Sequence, residues 1–289
     1  MKRGLRIVAA TVLLLAVAAG CGKGGGGIYL ITREESSGTR SAFITLFGLE
    51  IPDEQGRRID HTLATAEITK DTSVMLMSVA GDPEAIGYVS LGSLSGSVKA
   101  LKIDGVAPGV AAIRSGAYAV VRPFNIITGS AATSPAAQAF VAFILSAEGQ
   151  AVVEAAGYVP LAEPSPQGSA TAKLTGRVVV GGSSSVTPLM EKLQEAFVEK
   201  YPGIEVDVNQ SDSTIGVSDA VTGRCDIGMS SRALQPSEIA RGARETTIAT
   251  DGVVVIVSHA NPVNDLTKEQ VRQIYSGEIT AWADVEVGA

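Results

Sequence analysis

Hydroxyl-bearing residues and glycines follow strand-like segments at three places in this chain of 289 residues. They are residues 33–39, residues 181–188 and residues 211–216. A helix-like pattern comes after each segment, so each is expected to lie at a helix start. The first turn of a helix has unpaired backbone N–H groups and a partial positive charge, and hydroxyls add donors. Each segment is therefore either an anion-binding turn or a simple helix cap, because Ser and Thr are also usual capping residues.

One of these segments also carries a cation. Arg33 stands four residues before a Ser-Gly-Thr sequence. A guanidinium can donate two parallel hydrogen bonds to a tetrahedral oxyanion, a geometry that lysine cannot match. The alternative is a surface ion pair with Glu34 or Glu35. Three such turns together with one arginine predict a binding site for an oxyanion.

Composition narrows the class of protein. With 45% hydrophobic and 18% charged residues, the chain is expected to fold around a large core without disulfide bonds, which argues against disorder, collagen and coiled coil. The formal net charge is −7, and Lys and Arg do not cluster. No nucleic acid partner is therefore expected.

A serine hydrolase is the main enzymatic alternative. The sequence has no G-x-S-x-G motif, and His61 and His259 lie far from the serine-rich segments. It also lacks a P-loop, an H-E-x-x-H motif and a Cys or His cluster. We therefore expect no catalytic residue, no metal and no cofactor. Cys225 is expected to be a small buried hydrophobic residue.

The first 20 residues have the pattern of an export signal. A basic start is followed by a mainly apolar stretch at residues 7–19 and by small residues. Those 13 residues would rise only about 20 Å as a helix, which is too short for a bilayer core of roughly 30 Å. Cys21 follows Gly20 as in a bacterial lipobox, and it is predicted to carry a lipid that anchors the mature protein to the membrane. The alternative is an ordinary secretory signal.

Strand and helix patterns alternate along the rest of the chain. Strands are predicted at residues 28–31, 177–180, 204–208, 226–229 and 253–257, and helices at residues 189–201 and 141–156, the second closed by Gly157. This order predicts an α/β protein with mostly parallel sheets. Residues 162–173 contain two prolines and no apolar periodicity, which predicts a linker.

Several blocks of this sequence resemble those of the phosphate-binding proteins of the Pst-type ABC importer. They are residues 33–40, 85–90, 149–150, 157–160, 182–189, 226–232 and 274–282, and they cover nearly all of the chain after the signal. The resemblance implies a two-lobed periplasmic-binding-protein fold with the ligand in the cleft between lobes joined by a two-strand hinge. It implies inorganic phosphate as ligand, an ABC permease as partner, an extracytoplasmic location and a monomer. A binder of another oxyanion and a phosphate-sensing or adhesive lipoprotein stay open as alternatives.

The same resemblance assigns the lobes and the site. Residues 21–98 and 262–289 would form the lobe that carries the Arg-x-x-x-Ser-Gly-Thr turn, and residues 99–261 the second lobe. The expected phosphate-binding residues are Arg33, Ser37, Gly38 and Thr39 on one side of the cleft, facing Ser184, Ser185, Ser213 and Ser231.

Asp251 is added as the acceptor of the proton that phosphate carries near neutral pH. Sulfate has no such proton, so a buried carboxylate would repel it and favour phosphate. Some family members have an Asp at the position of Ser231. The alternative for Asp251 is a turn residue, since Asp-Gly is a common turn pair. Arg232 would either neutralise Asp251 or face solvent.

The order of the blocks differs from that of the family, in which the block equivalent to residues 182–189 comes first. The chain therefore resembles a circular permutant. The linker at residues 162–173 would join the family's usual ends, and the new ends, Gly27 and Ala289, would open a loop between Trp282 and Ile28. Such cuts are tolerated at exposed loops, so the fold and the site are expected to be preserved.

Overall fold

The computed structural model describes residues 26–55, 57–129, 134–165 and 174–285. The predicted signal peptide, Cys21, residues 166–173 of the predicted linker and Ala289 lie outside these ranges. Within the described ranges, no helix combines the length and the hydropathy that a membrane span requires.

The strands and helices alternate much as the sequence predicts. In the first part of the chain they are β1 (Tyr29–Arg33), α1 (Gly38–Leu46), β2 (Glu50–Pro52), β3 (Arg58–Asp60), β4 (Glu67–Thr69), α2 (Thr72–Gly81), β5 (Ala85–Ser90), β6 (Lys99–Ala100), β7 (Lys102–Ile103), α3 (Val110–Arg114), β8 (Val121–Thr128), α4 (Pro135–Leu145) and α5 (Ala147–Ala155). In the second part they are β9 (Gly176–Ser183), α6 (Thr187–Lys200), β10 (Ile204–Ser211), α7 (Ser213–Thr222), β11 (Ile227–Ser230), α8 (Pro236–Ala240), β12 (Arg244–Val257), β13 (Asp265–Leu266) and α9 (Lys268–Ser276).

Among the described residues, nine strands form one mixed sheet. Its order is β10-β9-β11-β8-β12-β5-β1-β4, with β6 beside β12. The pairs β10–β9, β9–β11, β5–β1 and β1–β4 are parallel, whereas β11–β8, β8–β12, β12–β5 and β12–β6 are antiparallel. The α/β class is confirmed, but the expectation of mostly parallel sheets is wrong. The strands at the centre of the sheet are antiparallel because the chain crosses between the lobes twice at this place, in opposite directions.

Strand β12 runs through both halves of this sheet. Its first part pairs with β8 as far as Gly252, and its last part pairs with β5 from Val253 onward. The other passage between the halves runs beside it, since the N–H of Val253 donates to the carbonyl of Val120 at 2.9 Å. The two lobes are therefore joined by two adjacent extended segments, which is the expected two-strand hinge.

Separate hydrophobic cores define the two lobes. The first core packs around Phe43 and Tyr88, whose rings stack with centroids 3.9 Å apart, and the second packs around Phe140 and Phe197. Each lobe therefore has its own apolar interior, and polar side chains can occupy the region between the lobes.

The division between the cores differs from the boundaries expected at residues 98/99 and 261/262. Leu101, Ile103, Val120 and Val257 all pack in the first core. Pairing explains the difference, because β6 is bonded to β12 and β7 to β13, which holds residues 99–103 in the first lobe. Of the residues that the structure describes, those at 26–55, 57–120 and 253–285 therefore form the first lobe, and those at 121–129, 134–165 and 174–252 form the second.

The single helix predicted over residues 141–156 is two helices, α4 and α5. Ser146 lies between them in an extended conformation, and its Oγ accepts from the N–H of Gly149 at 3.2 Å as the cap of α5. A Cβ at Gly149 would overlap the carbonyl oxygen of Phe143, so this sharp junction requires a glycine there. Gly157, with φ of 87°, ends α5 as predicted.

The segments on either side of the opened loop lie side by side. Gly27 and Ala281 form an isolated antiparallel bridge, and the N–H of Ile28 donates to the carbonyl of Thr280 at 2.7 Å. This proximity agrees with the permuted order, in which residues near position 28 and residues near position 282 belong to one stretch of the parent fold.

Candidate functional site

Three helices begin in the region between the lobes. α1 belongs to the first lobe, while α6 and α7 belong to the second. Ser37 Oγ caps α1 by accepting from the N–H of Arg40 at 3.3 Å, and Asp212 caps α7. No side chain caps α6, whose first turn contains Pro188. Capping therefore explains Ser37, but it does not explain the serines before α6.

Hydroxyl groups of the two lobes meet across the cleft. Thr39 Oγ1 and Ser185 Oγ are 2.7 Å apart, and the Nη2 of Arg33 donates to Ser184 Oγ at 3.1 Å. All four side chains are buried. The predicted partners on opposite sides of the cleft are therefore within direct contact of each other.

Gly38 of the first lobe packs closely against serines of the second. A Cβ at this position would overlap Ser213 Oγ and lie 2.6 Å from Ser231 Oγ. In the second lobe, Ser213 Oγ accepts from the N–H of Ser231 at 3.1 Å, and Ser183 Oγ donates to Ser231 Oγ at 3.0 Å. The N-termini of α1 and α7 thus meet around a cluster of serines that are fully or almost fully buried.

Arg33 is 2% exposed and reaches both a carboxylate and the other lobe. It forms a two-pronged ion pair with Glu34, at 2.8 Å from Nε and 2.7 Å from Nη2. Its Nη2 also donates to the carbonyl of Lys70 and to Ser184. The ion pair that the sequence left open as an alternative is therefore present, but it lies in the cleft and not on the surface.

Asp251 is fully buried at the hinge and accepts three hydrogen bonds. Oδ1 accepts from Ser90 Oγ at 2.7 Å and from the N–H of Leu91 at 3.2 Å, while Oδ2 accepts from the Nε of Arg122 at 2.9 Å. Burial raises the pKa of Asp251, and these donors oppose the rise. Asp251 therefore connects the first lobe to β8 of the second.

Arg232 does not neutralise Asp251 and does not face solvent, so both expectations for it are wrong. Its guanidinium forms a buried ion pair with Glu238, at 2.7 Å between Nη2 and Oε1. The reason is positional, because Asp251 lies directly across from Arg122 in the β8–β12 pairing. Glu238 is in the first turn of α8, and its Oε2 also accepts from the N–H of Gln235.

The remaining reactive side chains stand apart from the serines. His259 Nε2 is 3.0 Å from the carbonyl oxygen of Gly96, and no described hydrogen bond joins a histidine to a serine. Cys225 is buried, and burial raises the pKa of its thiol to about 11. Within the described ranges, no group of His, Cys, Asp and Glu has the arrangement of a metal site.

Sequence reasoning missed Arg122, Ser90 and Thr72. Thr72 Oγ1 lies 3.5 Å from Ser184 Oγ, and Ser90 and Arg122 hold Asp251. Arg122 left a signal in the sequence, since it is the one charged residue of β8, and arginine is rarely buried without a specific partner. Ser90 and Thr72 left none.

A family model described as a PBP superfamily domain matches residues 21–148 and 166–289. The chain belongs to this superfamily. It is 49% identical over 261 residues to the phosphate-binding protein PstS 2 of Streptococcus agalactiae serotype V, covering 90% of this chain and 88% of that protein. The crystal structure of a phosphate-binding protein of a phosphate ABC transporter from Streptococcus pneumoniae TIGR4 matches with a TM-score of 0.69 and 38% identity. That match covers 90% of this chain and 100% of the other.

These matches also bear on the order of the blocks. The alignment to the S. agalactiae protein runs through both parts of this chain in one order, so that relative shares the arrangement. The phosphate-binding protein PstS of Staphylococcus haemolyticus, 33% identical, aligns over only 119 residues, or 39% of this chain and 38% of that protein. The order of the blocks in this chain is therefore the order that the S. agalactiae protein also has.

Proposed function

We propose that this protein captures inorganic phosphate outside the cytoplasm and delivers it to the permease of an ABC importer. The observation that carries the proposal is the meeting of the α1, α6 and α7 N-termini around Arg33 and buried hydroxyls. Relatives that cover nearly the whole chain are named as phosphate-binding proteins, which supports a binding role and not an enzymatic one.

Phosphate would be held by short-range donors from both lobes. The proposed contacts come from the guanidinium of Arg33, the N–H groups at the start of each helix and the surrounding hydroxyls. The proposed binding residues are Arg33, Ser37, Gly38, Thr39, Ser184, Ser185, Ser213, Ser231 and Asp251. Because they come from both lobes, binding would draw the lobes together around the hinge.

The acidic net charge of −7 does not oppose this role. Donors within a desolvated cleft act at a low effective dielectric, whereas the charges of the surface are screened by solvent and salt. A micromolar site corresponds to about −8 kcal/mol, and each hydrogen bond to a charged group contributes about 1.5–3 kcal/mol. Four or five such bonds are therefore sufficient after the cost of ordering.

Lipidation of Cys21 and a monomeric state belong to the same proposal. A lipid at Cys21 followed by a glycine-rich segment would keep the binding domain tethered beside the membrane and its permease. Mass spectrometry of the protein from membranes tests the lipid, and sedimentation tests the monomer.

Calorimetric titration with phosphate and sulfate tests the central proposal. We expect the protein, freed of bound phosphate by extensive washing, to bind one phosphate with a dissociation constant at or below the micromolar range. Sulfate should bind far more weakly, because it brings no proton to the site. The absence of a binding signal with phosphate, or steady-state hydrolysis of a phosphoester that Ser37→Ala abolishes, would contradict the proposal.

Asp251→Asn is expected to narrow the preference for phosphate over sulfate by about tenfold or more. A carboxylate offers about four acceptor positions, and three are used, which leaves one on Oδ2 for the proton of phosphate. Asparagine removes the negative charge that repels sulfate. Competition titrations give the ratio directly. An unchanged ratio would show that another residue accepts the proton.

A further inference from the structure

A group of buried polar atoms at the hinge has no hydrogen-bond partner. Among the described residues these atoms are the Oγ of Ser93, the Nη1 and Nη2 of Arg122 and the hydroxyl of Tyr158. Arg122 and Tyr158 contact the same ring, with the guanidinium carbon 5.2 Å and the Tyr158 ring centroid 5.3 Å from the ring centroid of Phe124. Burial raises the pKa of Tyr158, and Ser93 and Arg122 oppose the rise.

This group adjoins the proposed phosphate site. Ser93, Thr72 and Ser184 line one cavity of about 220 Å³ between the lobes. In the sheet, Arg122 lies on β8 and Arg33 at the end of β1, on opposite sides of the hinge. Burial lowers the pKa of Arg122, Asp251 opposes this, and the positive charge of Arg33 lowers it further. Geometry connects Arg122 to this cavity, because Asp251 accepts both from the Nε of Arg122 and from the N–H of Leu91, two residues before Ser93.

Asp251 accepts a hydrogen bond from only one of the three guanidinium nitrogens of Arg122. The carboxylate takes the Nε–H at 2.9 Å and leaves both Nη groups without a protein acceptor. Buried charged donors without partners are costly, and they are rare unless a ligand or an ion completes them. An oxyanion beside Arg122 would accept from these two Nη groups and would balance their charge.

We infer that Arg122 is a second guanidinium donor to the bound oxyanion, oriented by Asp251 through its Nε. The inference rests on the proposed function, because it adds a residue to the same site. A second cation beside the ligand favours the dianion over the monoanion. The site would therefore be adapted to the more highly charged form of phosphate.

A paired substitution tests this assignment. Removing Arg122 alone would leave the buried carboxylate of Asp251 unpaired and could unfold the protein. We therefore use Arg122→Met combined with Asp251→Leu, which removes both charges and keeps the volume filled. The matched control is Arg232→Met combined with Glu238→Leu, which removes the other buried arginine ion pair of the second lobe.

Two measurements follow on purified protein with inorganic phosphate. In calorimetry, the Arg122/Asp251 variant should bind phosphate at least tenfold more weakly than Asp251→Asn, while the Arg232/Glu238 control should bind within about twofold of the unchanged protein. In ³¹P NMR titrations, the pKa of bound phosphate should be higher in the Arg122/Asp251 variant than in Asp251→Asn, because both lack the carboxylate and only the first also lacks the cation. A purely structural role would not move that pKa.

The outcomes separate this inference from the proposed function. If the unchanged protein does not bind phosphate, both are overturned. If it binds phosphate and the Arg122/Asp251 variant matches Asp251→Asn in affinity and in the pKa of the bound ligand, only the role of Arg122 is overturned. Equal changes in the Arg232/Glu238 control would also overturn it, because any buried ion pair would then have the effect.

Discussion

Gly38→Ala is expected to weaken phosphate binding by about 10- to 100-fold while leaving each lobe folded. The new Cβ would overlap Ser213 Oγ and lie 2.6 Å from Ser231 Oγ, and both of these serines are completely buried. Overpacking of this kind costs about 1–3 kcal/mol. Gly38 belongs to the first lobe and the serines to the second, so the cost falls on closure of the cleft and not on the folding of either lobe.

Calorimetry and small-angle scattering measure the two parts of this effect. The dissociation constant should rise, and the compaction that phosphate causes in the unchanged protein should be reduced. Gly81→Ala is the matched control, because Gly81 also lies in a helix of the first lobe and its Cβ would contact nothing within 4 Å. Equal phosphate affinity in both variants would mean that the lobes do not close on Gly38.

The secondary structure of the second lobe follows closely from sequence pattern. The apolar spacing from Leu189 onward predicts the helix that the structure shows as α6, and the period-two pattern from Ile204 predicts β10. The break at Ser146 was not predicted, because the apolar pattern continues through it. A local capping bond and the close approach of Gly149 to Phe143 decide that break, and neither has a periodic signature.

The lobe boundaries could not be predicted from local pattern. Val253 and Thr250 belong to one uninterrupted strand, yet the first faces the core of one lobe and the second lies in the other. Only the change of pairing partner from β8 to β5 assigns the two parts of β12 to different lobes. The register depends on how β12 pairs with both β8 and β5, so the apolar run in β12 alone does not reveal it.

Some features of the site were expected from the sequence, and others depend on tertiary contacts that the sequence does not reveal. The resemblance to phosphate-binding proteins implied that residues near Arg33, Ser185 and Ser213 would meet, and the structure brings these three turns together. Arg232 was one candidate partner of Asp251, but the β8–β12 register places Arg122 opposite it.

Arg33 brings a buried positive charge to the proposed site. It is 2% exposed, its partner Glu34 is 17% exposed at the side chain, and its Nη2 is 3.1 Å from Ser184 Oγ in the other lobe. Loss of the guanidinium would remove a charge-assisted donor and would leave the carboxylate of Glu34 uncompensated beside the anion. Both changes act against phosphate, so their effects add in the same direction.

Arg33→Ala is therefore expected to weaken phosphate binding by at least 2 kcal/mol, or about 30-fold. Arg33→Lys should recover part of the loss, since it restores the charge without the forked geometry. Arg177→Ala is the control, because Arg177 also forms an ion pair but its side chain is 65% exposed on β9. Calorimetry on the three variants measures whether their phosphate affinities follow this order. A dissociation constant unchanged by Arg33→Ala would remove this residue from the site, whereas a loss matched by Arg177→Ala would show that the effect is one of net charge and not of position.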